Sequence, residues 1–86
     1  MDSRQIVRKA VAALSKEAVP ADDSESLFET GVIDSFGLLD LVQNLEGAFG
    51  VKVPDADLNP RKFDNINKIV DYFDARSNNK KKQAGG

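Results

Sequence analysis

Residues 31–50 read GVIDSFGLLDLVQNLEGAFG, and the fold follows from their spacing. Leu38, Leu41, Val42, Leu45 and Phe49 recur at intervals of three and four, which places them on one face of a helix. Asp34 or Ser35 supplies the N-cap, because a short oxygen-bearing side chain accepts from the unpaired N–H groups of a first turn. Gly50 is a good stop, because glycine adopts the left-handed conformation that ends many helices. The strongest predicted helix therefore spans 35–49.

On its N-terminal side lies a long loop, Asp22 to Asp34, punctuated by Leu27, Phe28, Val32 and Ile33. A loop of that length in a small domain is functional or disordered, and four apolar pins favour order. Pro20 and the run Asp22-Asp23-Ser24 separate it from a first helix over 3–17. That helix is capped by Asp2 and striped by Ile6, Val7, Ala10, Val11 and Leu14. On the C-terminal side, Val51–Val53 leads to Pro54, and Pro60 opens a single helical turn to Phe63. A last helix, about 65–75, is capped by Asp64 and carries Ile66, Ile69, Val70 and Phe73. No stretch alternates as a strand would. The expected fold is all-α: a small four-helix bundle of three main helices and one short helix, with a long first loop. The domain is expected over 1–76. Residues 77–86 hold no apolar anchor and are expected to be a disordered basic tail.

Eighty-six residues make one small domain. There is no cysteine, which excludes disulfides, thiolate metal sites and a cysteine nucleophile, and no histidine, which removes the usual general base. An enzyme is therefore not expected, nor a metal site. Met1 is followed by Asp2 rather than a basic and apolar leader, and no apolar run is long enough to cross a bilayer. A cytoplasmic monomer without membrane contact is the expectation. From Asp22 to Asp57 there are nine acids and one base, Lys52, a net charge of −8. Phosphate contacts need clustered cations, so nucleic acid is not expected as a partner. A protein with a basic face is.

At about 100° per residue, the face of 35–49 opposite the core holds Phe36, Asp40, Gln43 and Gly47, with Leu39 beside them. A phenylalanine among acids and next to an exposed serine forms a docking face. The alternative places Phe36 back under the preceding loop. Gly37 and Gly47 each cost a helix roughly 1 kcal/mol relative to alanine. Either they let a partner or bound group approach closely, or they are drift at tolerant surface sites.

The order Leu27-Phe28, Gly31-Val32-Ile33-Asp34-Ser35-Phe36, a helix ending Phe49-Gly50-Val51, then Val53-Pro54, resembles the phosphopantetheine attachment region of acyl carrier and peptidyl carrier proteins. The stretch Leu58 to Asp64, followed by Ile66 and Ile69, is similar to discrete, stand-alone carriers served by adenylating ligases. The resemblance covers about residues 3–75. It implies a four-helix bundle in which Ser35 accepts 4′-phosphopantetheine from coenzyme A through a phosphodiester, installed by a phosphopantetheinyl transferase. The arm's thiol would hold an acyl or aminoacyl group as a thioester. It further implies that Asp34 presents Ser35 to the transferase and that Phe36, Leu39, Asp40 and Gln43 are read by partners. Those partners would be an acyl- or aminoacyl-activating ligase and a downstream acyltransferase or synthase. Gly37 and Gly47 stand where carriers of fatty-acid synthesis tend to have acids, which favours a specialised pathway. Two other readings stand beside this one. One is an unmodified helical adaptor docking through Phe36. The other is a sulfur carrier activated at Gly85-Gly86, which would need a sheet-rich fold.

Overall fold

In the computed structural model, residues 2–15 and 18–85 are described, with side chains through Ser77. Three α-helices form: α1 (Ser3–Leu14), α2 (Ser35–Phe49) and α3 (Ile66–Gly85). No strand occurs among the described residues, so the sheet that a Gly-Gly sulfur carrier would need is missing from them. The predicted extension of α1 to residue 17 reaches Lys16 and Glu17, which lie outside the described residues.

The core is where the stripes predicted it except at Leu14, the last residue of α1, which is 38% exposed. Val7 and Val11 from α1, Leu41 and Leu45 from α2, and Ile66, Ile69 and Phe73 from α3 are essentially fully buried. α1 packs against both other helices. Phe49 stacks on Phe73 with ring centroids 5.1 Å apart, which closes the far end of α2 onto α3. Phe63, only 1% exposed, meets Tyr72 edge-on at 5.0 Å.

The four pins of the first loop behave unequally. Leu27, Val32 and Ile33 are buried, and Phe28 is partly buried against the core. The loop is also fastened by backbone hydrogen bonds. Leu27 N–H donates to Asp64 O at 2.7 Å, Asn67 N–H to Asp23 O at 3.1 Å, and Ile33 N–H to Leu27 O at 3.0 Å. Asp23 additionally takes Arg4 at 2.6 Å and Arg8 at 2.5 Å, tying α1 to the loop. Ser3 Oγ donates to Asp74, tying α1 to α3.

Three sequence expectations are corrected. The short fourth helix is not at Pro60–Phe63, which forms turns; a single 3-10 turn, η1, falls at Asp55–Asp57 instead. It opens after Pro54, whose fixed φ suits the residue before a helical turn as well as the first position within one. Asp64 does not cap α3. Asn65 Oδ1 accepts from Lys68 N–H at 2.8 Å, while Asp64 Oδ1 accepts from Ser26 Oγ at 2.7 Å and so anchors the first loop. The last helix does not stop near Ala75 but runs on to Gly85, through the segment expected to be disordered. No proline or glycine interrupts 66–84, and its lysines, Gln83 and Ala84 are good helix formers, so losing the apolar stripe does not end the helix. Gly86 lies outside the described residues.

Candidate functional site

Asp34 settles which residue caps α2. Its backbone is extended, and its Oδ1 accepts the Gly37 N–H at 2.7 Å. Leu38 N–H completes the first turn on Asp34 O at 3.0 Å. Ser35 is thus the first helical residue rather than the cap, and it is exposed. Directly upstream, Val32 and Ile33 are buried at 7% and 5% exposure, so the chain is gripped immediately before it turns into the helix. Gly31, at φ +79°, ends the turn that its N–H closes on Phe28 O at 3.2 Å. A gripped entry, a carboxylate cap and a left-handed glycine together hold the Ser35 hydroxyl outward at the positive end of a helix dipole.

The outer face of α2 is as the helical wheel predicts. Phe36 is 82% exposed and Leu39 48%, and Asp40 and Gln43 are exposed beside them. Phe36 therefore does not fold back under the loop. Ser35, Phe36, Leu39, Asp40 and Gln43 form one continuous surface, with Asp34 at its edge. Ile66 and Ile69 lie wholly in the core.

The two glycines part company. A Cβ on Gly37 would lie 3.3 Å from Asp34 Oδ1 and 3.4 Å from Ile33 Cγ2. Gly37 thus makes room for the cap, an internal cause that sequence reading did not identify. A Cβ on Gly47 would meet nothing within 4 Å. At the end of α2, Gly50 adopts φ +69° and its N–H returns to Glu46 O. Glu46 Oε2 then accepts Val53 N–H at 2.7 Å, directing the chain away from the helix.

A phosphoester fits this arrangement. The hydroxyl that would carry it belongs to an exposed residue at the first position of a fifteen-residue helix. Comparison with known families matches residues 5–73 to the one described as phosphopantetheine attachment site. The acyl carrier protein of Thermotoga maritima is 36% identical over 81 residues, covering 88% of this chain and 98% of that protein. The D-alanyl carrier protein of Streptococcus suis is 31% identical over 70 residues, covering 81% and 89%. That of Streptococcus uberis is 38% identical over 58 residues, covering 67% and 73%.

This chain belongs to the phosphopantetheine-bearing carrier protein family. As a member, it carries covalent 4′-phosphopantetheine and presents acyl or aminoacyl groups on it. The bound group supplies a terminal thiol, which this cysteine-free carrier otherwise lacks. Carrier proteins are not themselves catalysts; modifying and loading enzymes act on them. Within this carrier, the described helices include none long and apolar enough to cross a membrane.

Proposed function

We propose that Ser35 is the attachment residue and that α2 is the face on which partner enzymes read this carrier. The observation that carries the proposal is an exposed hydroxyl held at the first position of α2 by the Asp34–Gly37 cap, inside the matched span 5–73. Ser35 Oγ gives up its proton and takes the phosphopantetheine phosphorus from coenzyme A, whose nucleotide leaves. Asp34 holds the backbone that aims the hydroxyl and exposes its carboxylate beside it to the transferase and the transferase's metal. Phe36 supplies an apolar anchor and Asp40 a negative charge for a basic surface, with Leu39 and Gln43 completing the contact. The opposite face of the same helix, Leu38, Leu41, Val42 and Leu45, is buried and closed to a partner.

The cargo is an acyl or aminoacyl group of a specialised pathway, supplied by a dedicated adenylating ligase and withdrawn by an acyltransferase or synthase. Two observations support this reading: relatives named D-alanyl carrier protein, and glycine rather than acid at positions 37 and 47. The carrier works as a cytoplasmic monomer. The segment past Arg76 follows Phe73, the last core residue among those described, and is dispensable for modification.

The deciding experiment is intact mass after incubation with a phosphopantetheinyl transferase and coenzyme A. The native chain gains one phosphopantetheine and the Ser35→Ala chain none. An alanine variant that still gains the mass refutes the assignment. A native chain that never does so favours the unmodified adaptor.

A further inference from the structure

Gly47 has no internal reason to be glycine. It is exposed, a Cβ there would touch nothing, and glycine weakens a helix interior relative to alanine. Its position is not arbitrary either. Phe36, Asp40, Gln43 and Gly47 follow one another at intervals of four, three and four, a single stripe along α2. Beside Gly47 lies a cleft of about 500 Å³ lined by Gln43, Glu46, Gly47, Gly50, Val51 and Lys52. Gln43 joins this cleft to the partner face. Lys52 at its rim is the single base between Asp22 and Asp57, yet it makes no ion pair or hydrogen bond among the described residues. Glu46 is drawn aside by Val53 N–H. The cleft therefore offers bare helix backbone beneath an outward ammonium.

We infer that this cleft is a second contact of the partner face and that Gly47 decides which enzymes fit it. It admits the main chain of a partner loop that brings a carboxylate to Lys52. The inference rests on the reading of Ser35 and α2 given above. A fifteen-residue helix is about 22 Å long. An ordinary interface of roughly 800 Å² per partner is about 30 Å across, broader than that. An enzyme seated on Phe36 and Asp40 therefore reaches Gly47 as well. A side chain at 47 would hold the loop away, and an acid at 52 would repel its carboxylate. Both effects fall on association rather than on the chemistry at Ser35, about 18 Å distant along the axis.

The test is the loading rate of the full chain by a phosphopantetheinyl transferase and coenzyme A, followed by intact mass, together with thermal melting. Gly47→Ala should lower kcat/KM about fivefold through KM, with kcat unchanged, while melting at or above the native temperature. Gly47→Leu should lower it further. Lys52→Glu should cost about tenfold, and Lys52→Arg should load like the native chain. Loading of both Gly47 variants at the native rate overturns the inference. So does a fall in kcat alone, or a lower melting temperature for Gly47→Ala, since either would give the glycine another role. A native chain that gains no mass instead overturns the Ser35 reading, and this inference with it.

Discussion

Ser35 and Asp34 are neighbours with separable duties. The hydroxyl of Ser35 caps nothing, because Asp34 Oδ1 holds the Gly37 N–H. Ser35→Ala should therefore abolish modification and leave the melting curve almost unmoved, a pair of results readable by mass and circular dichroism. Asp34→Ala should cost about 0.5–2 kcal/mol in denaturant unfolding, the usual loss for a capping side chain. It should also slow modification by loosening the turn that aims the hydroxyl. Phe36→Ala and Asp40→Lys should stay within about 1 kcal/mol of native stability, as exposed substitutions do, while weakening enzymatic loading. The exposure of Phe36 was legible from the sequence because a helical wheel converts spacing into direction. The choice between Asp64 and Asn65 as a cap was not. Both are good caps, and what decides between them is Ser26, 38 positions away, which claims the Asp64 carboxylate.

Helices show where local pattern suffices and where it does not. Each apolar stripe found its core, Leu14 at the end of α1 excepted, because burial of a 3.6-residue repeat leaves one orientation open. Leu45, with no exposed surface, should lose roughly 2–5 kcal/mol on Leu45→Ala, measured by urea unfolding. The 3-10 turn at Asp55–Asp57 escaped the sequence reading because three residues carry no period. It is fixed by what Asp57 meets in the following turn and on α3. Asp57 accepts Lys62 Nζ at 2.7 Å, Tyr72 OH at 2.6 Å and Arg76 at 3.3 Å, and Arg76 lies 4.9 Å above the Tyr72 ring. Gly37 tests the same point from the other side. Helix propensity alone would make Gly37→Ala stabilising, yet the crowding against Asp34 Oδ1 should cancel that gain, so its melting temperature should not rise.

For the molecule as a whole, Asp57 sets an acid limit. The hydrogen bond from Lys62, and then that from Tyr72, holds its carboxyl down from 3.8 to about 2. Because the folded value lies below the unfolded one, its contribution is complete above about pH 4 and is lost as pH falls through about 2. Asp57→Asn should flatten that part of the acid-unfolding curve and leave the dependence between pH 5 and pH 7 parallel to native, within the usual spread of such shifts. Deleting residues 77–86 should change neither the melting temperature nor modification, since Arg76 and Phe73 remain. The long-range ties were the least legible feature of the fold, for no local pattern announces that Leu27 will donate to Asp64 O. That same tie sets an order of events in time. The turn leading into Ser35 hangs on Leu27, and Leu27 hangs on the chain just ahead of α3. During synthesis, Ser35 is joined to the chain 29 residues before Asp64 exists to hold its loop. On the proposed assignment of Ser35, a chain truncated before Asp64 should lack the tie that steadies the turn into α2, and a transferase should modify it more slowly than the full chain.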